Sequence, residues 1–442
     1  LAITAAERRI LGAAALAVAM GLSALGSCAP AGPPEGPPAP EPAPEGAPQP
    51  TPAPEPEQPA AAEPELRIGL AVGATSVALG GEAELLVTDP AGARLAAIPV
   101  GDQWRAAPSG SGVAVQGREG ASTPTEMLVV IPRDRREPVV VNGRAYHGLV
   151  EIVRDAAGIT VVNRVRLESY LLGVVSAEMG RRNLAEFEAL KAQAVVSRTY
   201  ALRNLRRRAA QGFDLHAGVA DQVYAGIDRE TPEGLEAVRS TRGMALTYGG
   251  QPIDAFYYST CGGRTADGPE AFRAASRPYL RSFADVDEQG VAYCSISPRY
   301  RWREEWTGEA LRATLSRTLP AATGVSGDEV REVRDVWVAQ RTGSGRVGRL
   351  AISLRANQVM VDGPAVRRVL RPASGDLLRS AAFMLSASGG GRQVTRLVAE
   401  GSGAGHGVGL CQWGAVGRSR AGQDFQRILA AYFPGADLQR LY

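Results

Sequence analysis

The sequence predicts an α+β chain in which a β-rich N-terminal region is interlaced or packed with a helical region, with strands again elsewhere. Three observations carry this. Between residues 66 and 165, short runs of Val, Ile and Leu recur between Gly, Pro and Asp, the pattern of strands joined by turns. From 168 to about 208 the apolar spacing changes to three and four residues, the helical period. Between 306 and 400 both patterns return.

Element by element, strands are expected at 66–72, 84–87, 127–131, 138–141, 149–153 and 159–162. Helices are expected at 168–179 and from 184 to about 208, the second free of Gly and Pro. Further on come a helix at 311–319, strands at 333–338 and 347–354, and a short helix at 363–370. A glycine-rich loop spans 401–417, and a last helix spans 424–432, capped by Asp424 and stopped by Pro434 and Gly435.

The first 65 residues are of another kind. Arg8 and Arg9 precede an apolar run from 10 to 25, the charged-then-apolar layout of an export signal. The run ends LGSC, residues 25–28, similar to a bacterial lipobox, so Cys28 is the expected lipidation site and the first mature residue. Residues 29–65 are almost wholly Pro, Ala, Glu, Gln and Gly, with too little apolar surface to offset the entropy of ordering. They read as a disordered linker, extending by about 3.1 Å per residue where polyproline conformations hold. The expected divisions are therefore a signal peptide at 1–28, a linker at 29–65, a β-rich region at 66–165 and a helical region at 166–442 with an insertion around 306–400. The expected location is the outer side of the cytoplasmic membrane or the periplasm, the chain being exported and held by a lipid anchor.

Lys plus Arg (49) nearly balance Asp plus Glu (46), so no basic field argues for nucleic acid. Four cysteines and three histidines, with no CxxC and no HExxH, do not make a zinc ribbon or a zincin. The glycine-rich loop matches neither a phosphate-binding loop nor a dinucleotide fingerprint.

Chemistry has to come from fewer residues. Leu171, Val175 and Glu178 share one face of the helix at 168–179, which sets a carboxyl group on an apolar stripe. Lost hydration there penalises the ionised form and raises the pKa, which suits a general acid near neutral pH. The next helix aligns Lys191 and Arg198, two cations able to hold an anion, orient Glu178, or simply face solvent. Residues 256–265, FYYSTCGGRT, read as a strand entering a tight turn able to present Ser259 and Thr260. In the loop at 401–417, His406, Gln412 and Trp413 interleave with glycines and suit sugar hydroxyls, acetamides and ring faces. Cys261 with His406 could also form a cysteine-peptidase pair.

Five blocks, in order, resemble the SpoIID/LytB family of stage II sporulation protein D and the amidase enhancers. They are 167–179 LESYLLGVVSAEM, 188–202 EALKAQAVVSRTYAL, 221–224 DQVY, 258–265 YSTCGGRT and 405–415 GHGVGLCQWGA. The resemblance implies a mixed α and β fold and a lytic transglycosylase cutting the MurNAc–GlcNAc bond of peptidoglycan, with Glu178 catalytic and a 1,6-anhydro product. It implies a preference for peptide-stripped glycan strands, an N-acetylmuramoyl-L-alanine amidase as partner, and no cofactor. Lys191, Arg198, Tyr200, Gln222, Ser259, Thr260, His406 and Gln412 fall in the matching blocks and are carried as substrate-binding residues. Some members hold zinc through Cys and His just before the QVY motif; here 214–221 reads DLHAGVAD, without cysteine, and no metal ligand is assigned. Cys261, Cys294 and Cys411 are left to form one disulfide with a spare thiol, Cys261–Cys294 being the expected pair, or to gather around a metal with His406. The alternative to catalysis is a glycan-binding module that enhances a separate amidase.

Overall fold

A computed structural model describes residues 61–442 apart from 119, 273–275 and 390–391. The export signal, Cys28 and nearly all of the linker lie outside the described residues. Residues 61–65, read as the linker's end, already belong to the fold: Glu65 opens the first strand, and Glu63 ion-pairs with Arg166 and Arg242.

The fold is mixed α and β. Seven strands form the first sheet, in the order Leu215–His216, Glu65–Ala74, Ile159–Arg166, Leu149–Arg154, Met127–Pro132, Leu85–Thr88 and Arg94–Ile98. A second sheet of six includes Val139–Val141, Val77–Gly80, Trp104–Ser109 and Gly112–Gly117. Period-2 burial works as expected: in Met127–Pro132 every second residue is buried. Leu85, Val87, Leu128, Val130 and Ile152 of the first sheet share one core with Val77, Leu79, Val113 and Val115 of the second.

Strand Ile159–Arg166 runs straight into helix α1 (Leu167–Met179), whose first turn is capped from outside. The Leu167 N–H donates to Pro64 O at 3.0 Å, and the Glu168 N–H to the Glu63 carboxylate at 3.0 Å, an anion where the helix dipole favours one. The helix ends where Gly180 takes φ 68°. A short 3₁₀ turn, Leu184–Glu186, leads to α2 (Phe187–Arg203). That helix stops five residues before the expected position, because Arg206 takes φ 61° and the Asn204 side chain donates to Tyr200 O at 2.7 Å. α2 is central, packed by α1, α3 (Pro232–Ser240) and strand Met244–Tyr248. Its small buried residues Ala189, Ala192, Ala194 and Ala201 let those neighbours approach.

Beyond the short helix α4 (Gly268–Ala271), a second core gathers Trp302, Trp306, Leu315, Leu350, Ile352, Phe383 and Leu397. It lies between α5 (Gly308–Thr323), α6 (Gly363–Val369) and two three-stranded sheets. The chain then returns to the first core through α7 (Gln412–Arg420) and α8 (Phe425–Tyr432), the latter capped as expected, with Asp424 accepting from the Arg427 N–H at 2.8 Å. Among the described residues no helix is long and apolar enough to cross a membrane.

Candidate active site

Glu178 is the penultimate residue of α1 and sits at a cleft of about 1150 Å³. One side of the cleft comes from Tyr200, Asp221, Tyr257 and Ser259, with His406, Gln412 and Trp413 from the glycine-rich return. The other side brings Arg367, Asp376 and Arg379 from the second-core region.

Three neutral donors hold the Glu178 carboxyl. Oε1 accepts from the Val223 N–H at 2.8 Å and the Tyr257 hydroxyl at 2.9 Å; Oε2 accepts from Gln412 Nε2 at 3.5 Å. Burial raises the carboxyl's pKa above the ordinary glutamate range, and the three hydrogen bonds only partly oppose it. Behind Tyr257 stands a relay: Tyr170 OH donates to Gln222 Oε1 at 3.3 Å, and Gln222 Nε2 donates to Tyr257 OH at 3.3 Å. Each donation polarises the next towards Glu178.

The DQVY block divides its tasks. Asp221 accepts from Tyr200 OH at 3.0 Å and the His216 N–H at 2.8 Å, and ion-pairs with Arg207 and Arg208. Gln222 is fully buried, Val223 supplies its backbone N–H, and Tyr224 packs in the core, donating to Asn163 at 3.0 Å.

The glycine-rich loop lays its own backbone against the 256–260 segment. A Cβ on Gly405 would stand 2.6 Å from Tyr258 Cβ, and one on Gly409 would stand 2.1 Å from Phe256 O; both have positive φ. Its glycines therefore serve chain-to-chain approach, where the sequence suggested approach to a ligand. The contact pairs Tyr257–Tyr258 in parallel with Leu410–Cys411, and so brings Tyr257 and Gln412 to one carboxyl group.

Of the residues carried from the sequence, Glu178, Tyr200, Ser259, His406 and Gln412 line the cleft. Gln222 lies one residue deeper, behind Tyr257. Thr260 is buried and bonded to Ser297 Oγ at 2.8 Å. Arg198 and Lys191 are elsewhere. Arg198 is fully buried and clamps Glu168 through Nε at 2.9 Å and Nη2 at 2.8 Å, so it joins α2 to α1 and has no face left for a ligand. Lys191 pairs with Glu188 at 2.5 Å and stands 4.9 Å over the Phe425 ring, away from the cleft.

His406 is held neutral. Nδ1 accepts from the Val408 N–H at 3.2 Å, Nε2 donates to Tyr257 O at 2.9 Å, and burial pulls its pKa down to about 4. Both ring nitrogens being engaged, His406 does not pair with Cys261, whose sulfur faces Cys294 at 3.3 Å. Cys261, Cys294 and Cys411 are free thiols in one buried cluster. Sequence reasoning missed Tyr257 and Asp221 as functional candidates, although both lie in or beside the quoted blocks; Trp413, singled out with the glycine-rich loop, does line the cleft. Trp413 stacks against Arg182, with 4.6 Å between guanidinium and ring centre.

Residues 155–248 match the family described as stage II sporulation protein, and residues 289–409 match a domain of unknown function (DUF8618). An uncharacterized protein of Brachyspira hyodysenteriae is 29% identical over 69% of this chain and 75% of its own length. Stage II sporulation protein D of Bacillus amyloliquefaciens is 27% identical over 70% of this chain and 90% of its own length. The amidase enhancer of Bacillus subtilis is 25% identical over 61% of this chain, spanning 40% of that larger protein. Over these stretches the chain is similar to stage II sporulation protein D and to an amidase enhancer, the proteins of the SpoIID/LytB resemblance.

Proposed function

We propose that this protein is a lytic transglycosylase acting on peptidoglycan glycan strands, with Glu178 as the single acid and base. The observation that carries the reading is the carboxyl's setting, half-buried at the edge of an open cleft and held only by neutral donors, so that desolvation raises its pKa. A protonated Glu178 gives its proton to the glycosidic oxygen, and the C1–O bond breaks. The carboxylate so formed is met by the Val223 and Tyr257 donors, then takes the proton of the muramyl C6 hydroxyl as that oxygen closes on C1. The acid is regenerated and no water is consumed, unlike hydrolysis by paired carboxylates. Asp221, the other cleft acid near the DQVY turn, is neutralised by Arg207 and Arg208 and is not placed to supply a second acid.

The same cleft suits peptide-stripped strands, in which each muramic acid carries a free lactyl carboxylate. Arg367 lines the cleft, its Nε donating to Leu378 O at 2.7 Å, and makes no ion pair among the described residues. Burial pulls its pKa below the usual arginine value, the mark of a guanidinium short of an anion. An amidase acting beforehand would supply such strands. Export and a lipid anchor at Cys28, reaching outward on the Pro-rich linker, complete the proposal and would set the enzyme against the wall from the membrane side.

The likeness to an amidase enhancer favours a second reading, in which the cleft grips strands without cutting them and assists an amidase. Strand binding measured beside turnover separates the two. Catalysis predicts that Glu178→Gln keeps affinity and loses product; equal behaviour of variant and wild type would favour the enhancer.

A further inference from the structure

Three buried thiols take no part in the proposed transglycosylase chemistry. Cys261, Cys294 and Cys411 come from separate elements: the turn after Tyr257–Tyr258, the 3₁₀ turn Tyr293–Ile296, and the residue capping α7. Their sulfurs all lie within 4.8 Å of one another, and each residue is at most 2% exposed. We propose that these three cysteines form a structural thiolate site for a divalent, thiophilic cation, zinc being the best match.

Geometry is the first argument. Tetrahedral zinc–thiolate bonds of about 2.3 Å hold their sulfurs roughly 3.8 Å apart, a spacing this triangle reaches by shifts of a few tenths of an ångström to about 1 Å. A disulfide needs a sulfur separation of about 2.05 Å and would use only two of the three. Asp285 Oδ2, 3.4 Å from Cys261 Sγ, is an oxygen donor within reach of a fourth position.

Backbone donors are aimed at two of the sulfurs. Cys411 Sγ accepts from the N–H groups of Cys261 at 3.1 Å and Gly414 at 3.2 Å, and Cys261 Sγ accepts from the Gly263 N–H at 3.3 Å. Charge gives an independent argument. Arg346 is 5% exposed and donates to the carbonyl oxygens of Cys261 (3.3 Å), Arg264 (2.9 Å) and Thr265 (3.1 Å), yet it makes no ion pair among the described residues. A guanidinium buried without a carboxylate is costly unless an anion lies close. Three thiolates on a divalent cation carry one net negative charge beside it. Asp285 is separately neutralised by Arg418, at 2.9 Å, and so does not cancel Arg346.

Binding forms three metal–sulfur bonds and releases the remaining thiol protons to water. The cation would pin the Cys261 turn to the cap of α7. Tyr257 and Gln412, which both reach Glu178, flank those two points, so the metal would fix the catalytic floor without touching substrate.

The test is a titration of the full-length, anaerobically reduced protein with Co²⁺, followed by Zn²⁺ competition and zinc X-ray absorption. The expected result is one tightly held Co²⁺ per chain with thiolate charge-transfer absorption, displaced by Zn²⁺, and zinc–sulfur distances of about 2.3 Å. Cys294→Ala should abolish the charge-transfer band, whereas Cys28→Ser should not. Should Cys294→Ala fail to fold, the wild-type absorption spectra decide alone. No charge-transfer band from the reduced protein would overturn the site. So would a metal-free Cys261–Cys294 disulfide, found by peptide mapping of protein taken directly from the cell envelope.

Discussion

The hydroxyl of Tyr257 donates to Glu178 Oε1 at 2.9 Å while its own oxygen accepts from Gln222 Nε2 at 3.3 Å. The phenol is thus polarised towards the carboxyl group that has to become negative after the first proton transfer. A hydrogen bond to a charged group contributes about 1.5–3 kcal/mol, so Tyr257→Phe should lower turnover roughly ten- to a hundredfold. Gln222→Leu, which removes only the polarising donor, should cost less. The Tyr257 bond lowers the pKa of Glu178, and its loss should raise it further. The alkaline limb of the pH–rate profile, where Glu178 loses its proton, should therefore move to higher pH in Tyr257→Phe.

Stability should carry the opposite trace of the same carboxyl. Because burial raises its folded pKa above the unfolded value, the proton is held more tightly in the native state. Its contribution is complete below the unfolded pKa and lost as pH rises through the folded pKa. Glu178→Gln, which has nothing to ionise, should gain Tm relative to wild type at neutral pH and less at acidic pH. Thermal unfolding at both pH values checks this.

His406 should act in the reverse sense. Its folded pKa, pulled down to about 4 from an ordinary 6.5, means that the unfolded chain binds the proton first. Stability should fall as pH drops from about 6.5 towards 4, and His406→Asn should flatten that part of the curve. Denaturant midpoints across the window read it directly.

Arg198 and Lys191 offer a test of structural against binding roles. Removing one member of a buried ion pair costs about 3–5 kcal/mol, so Arg198→Ala should be strongly destabilised in equilibrium unfolding. Lys191→Ala, whose charge lies outside the cleft, should change strand affinity by no more than about twofold.

Arg367→Ala should weaken binding of peptide-stripped strands roughly ten- to a hundredfold, the loss of a charge-assisted contact, and affect peptide-bearing strands much less. Equal loss on both would assign Arg367 to general backbone binding instead of to the lactyl carboxylate.

Much of this was legible in the sequence because it is local. The apolar positions of α1 lead to Glu178, and strands such as Met127–Pro132 and Val347–Leu354 announce themselves by short runs of Val, Ile and Leu. Strands Trp104–Ser109 and Gly112–Gly117 were not expected, since Ala, Pro and Gly dilute the pattern and pairing alone makes them strands. The helix period put Arg198 with Lys191 but could not say that Glu168, thirty positions earlier, was waiting for it. Tyr257 escaped for a similar reason: the two-residue strand that aims it is made by Leu410–Cys411, far along the chain. The thiol triangle likewise exists only once three remote segments meet.

The most direct measurement is mass spectrometry of the ends of peptide-stripped glycan strands, after digestion in isotopically labelled water by the wild-type protein and by Glu178→Gln. Catalysis by Glu178 predicts unlabelled 1,6-anhydromuramyl ends from the wild type and none from the variant. Labelled reducing ends, or the same anhydro ends from Glu178→Gln, would contradict it.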